Sequence, residues 1–494
     1  MRFTEARPPS ARHVMRMVEQ EPTCIMQRRT STKTAGLAAP SASLTGQIGQ
    51  ALPAQAAGSR STATGPLSGR RILTFNWVIR VNQIEVTRTR NEGFDEHDRR
   101  SPENMKALRE AFAAGWPGAP MTWALSWRAL EGSRPNYQAA RRLVREFHNQ
   151  YGEDVTLIPA AYFANMYNSR EQVNRDIHEA LAKVSDLMSG GFRPKALVAG
   201  FLSAANQKYL AEQDNIHVFQ GNIGSQFGID NADGEGSISY PYYPSTEHFG
   251  KPAQGPKDFV DCLNLDGWAV DFISARRLSL GKCKMGKKEN GYNSRFGVGP
   301  IETIGWCGPD VGLKHMLTCT AAHFDAGYQL NQWAWVTNCW EVWLVPQVKD
   351  LPVLTRWLEG IRTPWSNAQC LAQGEFGQLW RRRHPNNEHL NYRFVQRGTG
   401  FGCRDANLEI RWFINRKFRL ALPRDWEKSS PETVIDFARY DLPAKEPQDL
   451  SHNWGLLGRI NQKQTRPQDR PCPLTALPED DRALIRSLLP ELGT

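Results

Sequence analysis

The stretch Arg71-Ile72-Leu73-Thr74-Phe75-Asn76-Trp77-Val78-Ile79 decides how the rest of the chain is read. Its apolar, β-branched and aromatic residues favour an extended strand. A polar loop follows, and Ser101-Pro102-Glu103 then opens a helix, with serine as cap and proline at the first helical position. The helical period continues through Met105, Leu108 and Phe112. Met121-Thr-Trp-Ala-Leu-Ser-Trp127 repeats the strand signal, and Asn136 to Tyr151 carries Leu143, Val144 and Phe147 at helical spacing.

The alternation persists downstream. Asp154-Val-Thr-Leu-Ile-Pro159 is a third strand. Ser169 caps a long helix running past Val173, Ile177, Leu181 and Val184 to Gly190-Gly191. Lys195 to Leu202 is a fourth strand, Ser203 to Gln213 a helix, and Ile216 to Gln220 a fifth strand. Strands that alternate with helices form parallel sheets, because a crossover helix returns the chain to the same end. Four such units within about 150 residues fit an α/β fold of the (β/α) barrel kind, seven-stranded or irregular. A doubly wound sheet is the competing arrangement, but no Gly-x-Gly-x-x-Gly follows the first strand.

Beyond Gln220 the pattern loosens. Residues 222–255 form a long loop rich in Gly, Tyr, Pro and acids, a length usually kept for function. Strand-like segments recur at Cys262 to Ile273, Pro300 to Trp306 and Gln332 to Val345, with His315 to Tyr328 as helix and loop between the last two. After Pro346 the character changes. Leu351 to Gly360 is helical, Leu408 to Leu422 alternates like one or two strands, and a Pro-rich stretch, Pro467 to Pro478, precedes a short last helix. The expected organisation is a leader over residues 1–56, a Gly/Ser-rich linker over 57–69, the barrel over 70–345 and a smaller, partly β module over 346–494.

The leader is read from Arg28-Arg29, a weakly apolar stretch from Thr34 to Pro53, and Ala54-Gln55-Ala56, the small-x-small form that a signal peptidase accepts. It resembles a twin-arginine export signal, although Ser31 and Thr32 stand where bulky apolar residues are usual. The resemblance implies a periplasmic or secreted protein. A disordered Ala/Ser/Arg tail is the alternative, and Met26 competes with Met1 as the start.

The whole chain carries 61 Lys and Arg against 51 Asp and Glu, a net +10. Without the first 56 residues 54 bases and 48 acids remain, a net +6. That charge is dispersed, and its densest run, Arg381-Arg382-Arg383-His384, reads as a solvated patch, so nucleic acid is not an expected partner. No later segment has the roughly 18 apolar residues of a membrane span. Cys24 lies in the leader. The eight other cysteines permit disulfides in an oxidising compartment, with connectivity open.

Thr74-Phe75, the loop and helix beyond it, and the strand Met121-Thr-Trp-Ala-Leu-Ser together resemble the polysaccharide deacetylase and glycoside hydrolase barrel superfamily, and more closely a group of secreted bacterial proteins placed near it. The resemblance spans Arg71 to Val345. It implies a carbohydrate substrate. It also implies two aspartates directly after Thr-Phe as metal ligands, where this chain has Asn76 and Trp77. Asparagine offers a hard cation only a neutral oxygen and tryptophan offers nothing. The paired histidines four residues apart are also missing, so no metal site is expected and no cofactor is required.

Active sites of parallel barrels lie where strands end. Glycoside hydrolysis needs two carboxyls there, one protonated and one ionised. Asp266, Asp271 and Glu302 are set in otherwise apolar strands, where burial raises a carboxyl toward proton donation. They are the expected catalytic residues. Capping of a loop, or pairing with Arg276 or Arg277, is the structural alternative for each.

Glu247 and His248 are candidates for substrate contact or a nucleophile–base pair. Trp268, Trp306, Trp335 and Tyr242 are candidate aromatic platforms for sugar rings. About half of the tryptophans in this region are expected in the core instead. No Gly-x-Ser-x-Gly and no phosphate loop occurs. The sequence therefore points to a polysaccharide- or oligosaccharide-directed hydrolase using paired carboxylates. An atypical deacetylase and a non-catalytic glycan-binding protein are the alternatives.

Overall fold

The computed structural model describes residues 67–79, 82–85, 88, 91–95, 97–99, 101–159, 164–198, 202–220, 240–265, 284–285, 288–289, 304, 308–341, 351–398, 407–425, 427–428, 433–450, 454 and 472–493. The strand that opened the reading forms as β1, Arg71–Ile79. The other parallel strands are β2 Thr122–Leu125, β3 Asp154–Leu157, β4 Leu197–Val198, β5 Val218–Gln220, β6 Leu263–Asn264, β7 Ala334–Glu341 and β8 Ala368–Leu371.

Along one edge β1 pairs with the whole of β7, from Arg71 opposite Ala334 to Val78 opposite Glu341. The other edge is shared in succession: β8 covers Arg71 to Thr74, and β2 covers Asn76 to Ile79. β2 continues to β3. A second parallel sheet runs β4, β5, β6. The two sheets meet where the Thr156 hydroxyl donates to the Ala196 carbonyl. All these strands run parallel, as the alternation with helices requires.

The helices between strands begin where short polar caps place them. Ser101, Ser169 and Ser203 accept the N–H of Asn104, Gln172 and Asn206, capping α1 Pro102–Gly115, α4 Arg170–Met188 and α5 Ala204–Gln213. Such caps satisfy donors that no intrahelical carbonyl reaches. Ser126 caps a further short helix, α2 Trp127–Glu131, so the second strand stops earlier than its apolar run suggests. α3 covers Pro135–Tyr151 and ends on Gly152 with positive φ.

Because side chains alternate along a strand, β1 divides cleanly. Leu73, Phe75, Trp77 and Ile79 face Met105, Leu108 and Phe112 of α1 in an outer core. Phe75 meets Phe112 edge-on at 5.2 Å and Trp340 at 5.4 Å. Ile72 and Val78 face the other way, toward Ala124, Ile158, Val198, Val218, Leu263 and Trp335 in an inner core. The helix expected over Leu351 to Gly360 is α7, Pro352–Arg362, which packs on α1 through the Thr355 hydroxyl and the Ala111 carbonyl at 2.8 Å. Gly360 lies inside it rather than closing it. α6, Pro309–Ala321, continues through a π-helical turn at residues 322–327 to β7.

The chain beyond α7 returns to the parallel strands through β8, and α8, Gln373–Arg383, then crosses the inner face at the strands' starts. The Gln373 N–H bonds Thr122, the first residue of β2, at 3.0 Å. A Cβ on Gly374 would sit 2.5 Å from Lys195 Cβ and 2.8 Å from the carboxylate of Asp154, the first residue of β3. A Cβ on Gly377 would sit 2.3 Å from Val218, the first residue of β5. Only glycine allows so close an approach at these two positions.

An antiparallel sheet follows: β9 Asn391–Arg397, β10 Leu408–Asn415, β11 Phe418–Asp425 and β12 Asp436–Arg439. One face of this sheet, with Tyr392, Phe394, Ile410 and Trp412, joins the inner core. The other, with Phe413, Leu420 and Leu422, packs on Ile485 of the last helix, α9 Glu479–Leu488. Among the described residues no helix is long and apolar enough to cross a membrane. Cys262, Cys370 and Cys472 carry free thiols, so the eight cysteines beyond residue 56 are not all paired.

Candidate active site

The inner face of the strands carries a band of buried polar side chains just above α8. The Thr74 hydroxyl donates to Thr337 at 2.8 Å, and the Trp335 indole N–H donates to Thr74 at 3.1 Å. The Asn76 amide donates to Gln373 at 3.3 Å and, more distantly, to Thr337 at 3.5 Å. Thr74, Asn76, Thr122, Thr337 and Gln373 are all fully buried. Among the described residues Asn76 Oδ1 and Gln373 Nε2 are left with no partner, an acceptor and a donor over on the inner face. A buried polar atom left this way costs about 1–3 kcal/mol, so the band is not explained by stability alone.

Asp154 sits at the lower edge of this band, beside the first turn of α8. Burial pushes its carboxyl up to about 6, although Lys195 and His148 pull it back. Glu153, the preceding residue, points to the outer face. There its carboxylate meets Arg109 Nε at 2.6 Å and accepts the Trp123 indole N–H at 2.6 Å. Burial pushes it up to about 7 against the pull of Arg109 and Trp123. Arg109 also lies over the Tyr151 ring at 3.8 Å.

Asn76 and Trp77 occupy the positions where the resemblance implies two metal-binding aspartates, and they do not fit a metal. Trp77 points outward and stacks on Trp123 at 6.2 Å. Asn76 faces inward with its amide N–H held by Gln373 and Thr337, and its Oδ1 could offer a cation only one neutral oxygen. Among the described residues no group of three or more His, Cys, Asp or Glu is arranged to hold an ion.

The sequence-derived candidates separate into two groups. Asp266, Asp271, Glu302, Trp268 and Trp306 lie outside the described residues. Leu265, the last described residue before Asp266 in sequence, follows β6 at the end of the parallel strands opposite α8. Tyr242, Glu247, His248 and Trp335 are described, and each is engaged within the protein. Tyr242 pairs with Asn264 of β6 in an antiparallel bridge, and its hydroxyl donates to the Phe249 carbonyl at 2.9 Å.

The Glu247 carboxylate takes the Lys251 ammonium at 2.5 Å and the Ala444 N–H at 3.0 Å. His248 is buried, stacks on Phe249 at 4.8 Å, and accepts the Gly250 N–H at 3.0 Å. Trp335 stacks on Phe376 of α8 at 4.9 Å. Trp333, Trp340, Tyr240 and Tyr243 are likewise buried, Tyr240 stacked on Tyr392 of β9 at 3.9 Å. Of the tryptophans in this region, the described ones, Trp333, Trp335 and Trp340, all belong to the core.

Gln373 and Asp154 were not singled out from sequence. Asp154 carried a detectable signal, an acid opening an apolar strand. Gln373 carried none, since its neighbours in space are residues 250 to 300 positions away.

A domain-of-unknown-function model, DUF3863, matches residues 65–414, and a second, DUF3864, matches residues 419–492. No functionally curated protein matches the chain. A solved structure from Parabacteroides distasonis, provisionally described as a glycoside hydrolase/deacetylase, is 47% identical, with a TM-score of 0.79. The match covers 86% of this chain and 99% of that one. A probable polysaccharide deacetylase from Pseudomonas aeruginosa PAO1 is 12% identical with a TM-score of 0.40, covering 64% of this chain and 93% of that one. A GH57-type branching enzyme from the hyperthermophilic archaeon Pyrococcus horikoshii is 9% identical with a TM-score of 0.39, covering 63% and 70%. With the DUF3863 match spanning most of its length, the chain belongs to the DUF3863 family.

Proposed function

We propose that this protein is an exported carbohydrate-active hydrolase that cleaves glycosidic bonds of a polysaccharide or oligosaccharide. The observation that carries the reading is the 47% identity, across nearly the whole of both chains, to the Parabacteroides distasonis protein described as a glycoside hydrolase/deacetylase. The parallel strand order supports it. β7, β1, β2, β3, β4, β5 and β6 follow one another as a seven-stranded (β/α) barrel would, and closure would bring β6 beside β7. In that arrangement Leu265, the last described residue after β6, lies at the strand end, where loops of a parallel barrel converge.

Asp266, Asp271 and Glu302 supply the carboxyl pair, one donating a proton to the leaving oxygen and the other attacking or activating water. With Trp335 and Tyr242 buried, Trp268 and Trp306 are the remaining candidates for stacking on sugar rings. The deacetylase reading rests on the other half of the same description, and the unsuitability of Asn76 and Trp77 for a metal places it second.

The test is a panel of polysaccharides scored separately for new reducing ends and for released acetate, with Asp266→Asn, Asp271→Asn and Glu302→Gln beside the unaltered protein. Loss of a catalytic carboxyl lowers the rate about 10²–10⁴-fold. Reducing ends abolished by two of the three variants support the reading. Acetate without reducing ends overturns glycosidic cleavage in favour of deacetylation. Binding with neither product makes the protein a glycan-binding one.

A further inference from the structure

Beyond β12 the chain folds back across the parallel-strand unit, and residues 442–447 are stitched to it along their length. The Leu442 carbonyl accepts from Lys251 at 2.8 Å, the Ala444 N–H donates to the Glu247 carboxylate at 3.0 Å, and the Glu446 N–H donates to the Glu247 carbonyl at 3.2 Å. The Pro447 carbonyl accepts from Arg170 at 2.8 Å. Further on, Trp454 is buried against Phe249 at 6.1 Å and under the Arg170 guanidinium at 5.4 Å.

Glu446 is the centre of the strap. It is 5% exposed, and one carboxylate oxygen accepts both the Ala204 N–H at 2.7 Å and the Phe249 N–H at 2.9 Å. The other oxygen takes Arg170 at 3.1 Å. Ala204 is the first residue of α5, where unpaired N–H groups and the helix dipole favour a negative charge. Burial pushes the carboxyl up, opposed by these N–H groups and by Arg170.

The Phe249 carbonyl connects this contact to β6. It accepts the Tyr242 hydroxyl at 2.9 Å and the Asn264 amide at 3.3 Å, and Tyr242 and Asn264 exchange backbone bonds at 2.9 and 3.2 Å. One peptide segment thus receives Glu446 on its N–H and holds the strand leading to Asp266 through its carbonyl.

We propose that Glu446, carried by the C-terminal segment, is a positioning residue that fixes Tyr242 and Asn264 at the end of β6 through Phe249, so that the C-terminal module governs the geometry of that strand end. The role in turnover rests on the hydrolase reading above. The positioning of the segment does not.

The test uses the full chain with Glu446→Ala and, as a milder change that keeps an acceptor oxygen, Glu446→Gln. Hydrogen exchange is followed in peptides spanning residues 203–207, 249–265 and 334–341. Loss of a charged acceptor shared by two N–H groups should speed exchange about 10-fold or more in the first two peptides and leave the third unchanged. On any polysaccharide that the unaltered protein cleaves, kcat should fall about 10-fold while KM moves less than about 2-fold, since orientation rather than binding is lost.

Unchanged exchange at 249–265 in a folded Glu446→Ala, or exchange that rises equally in all three peptides, overturns the proposal. Fast exchange at 249–265 with full kcat overturns the role in turnover alone. If the unaltered protein releases neither reducing ends nor acetate, the hydrolase reading fails and the exchange data still decide whether Glu446 positions the segment. Should Glu446→Ala not fold, Glu446→Gln and Lys251→Met, which removes the stitch to Leu442, are read by the same criteria.

Discussion

Replacing Gly377 by alanine should destabilise the protein, and the size of the effect follows from what the new methyl meets. The added Cβ would lie 2.3 and 2.5 Å from the two Val218 methyls and 3.0 Å from Val218 Cβ. Carbon atoms pack at about 3.5–4.0 Å, so α8 or β5 must move by more than an ångström. Val218 is fully buried in the inner core and has nowhere to retreat. Overpacking of this kind costs about 1–3 kcal/mol, partly offset by the roughly 1 kcal/mol that alanine gains over glycine inside a helix. A net loss of up to about 2 kcal/mol is expected.

Val218→Ala alone loses two buried methyls and opens a cavity, costing about 2–3 kcal/mol. In the double variant the alanine methyl fills part of that cavity. The pair should then be less destabilising than the sum of the singles by about 1–2 kcal/mol, the signature of direct contact. Urea unfolding followed by tryptophan fluorescence measures all four species, with Trp380 on the same helix as a buried reporter. If Gly377→Ala stabilises by about 1 kcal/mol, as on an exposed helix face, or if the two changes are additive, α8 does not cross the starts of the strands and the description of the inner face is wrong.

Other consequences can be checked independently. Glu153 is pushed up to about 7 from an ordinary 4.5, so the folded state holds more protons than the unfolded chain between these values. Stability should fall by up to about 3 kcal/mol as pH rises through that window, and Glu153→Gln should flatten that part of the profile in urea titrations at stepped pH. A slope of the opposite sign would show that Arg109 dominates. Asp436→Asn, which leaves the buried Arg419 facing a neutral partner in place of the carboxylate now at 2.9 Å, should cost about 3–5 kcal/mol in the same assay. Cys262 and Cys370 are buried and their thiols pushed up. An alkylating reagent should therefore modify Cys472 in the native protein but reach these two only on unfolding, and native labelling of either would contradict its placement. Ser169→Ala removes the cap on α4 and should cost about 1 kcal/mol.

Much of the fold was legible because its signals are local. Arg71–Ile79 could be read as a strand from residue types alone, and Ser101, Ser169 and Ser203 announced helix starts because a cap needs only its own next three residues. The order of strands and helices from β1 to β5 followed. What sequence suggested about the second half was less complete. β8 and α8 carry no strong periodicity, and they take their places from partners hundreds of residues away. Leu408 to Leu422 read correctly as strand-like, but only pairing shows a hairpin turning at Arg416 and Lys417.

The candidate site divides by the same physics. Residue chemistry alone nominated Asp266, Asp271 and Glu302, because an acid within an apolar strand is costly wherever the strand lies. It also nominated Glu247, His248, Tyr242 and Trp335, and here the tertiary structure decided otherwise than composition could. Glu247 is claimed by Lys251 and a strap from residue 444, His248 and Tyr242 by the turn around Phe249, and Trp335 by α8. The sequence by itself therefore determined the alternation of strands and helices and the types of group available for chemistry. Only the tertiary structure decided which of those groups are already spent on one another, because burial and hydrogen bonding are settled by distant segments whose approach no local pattern records.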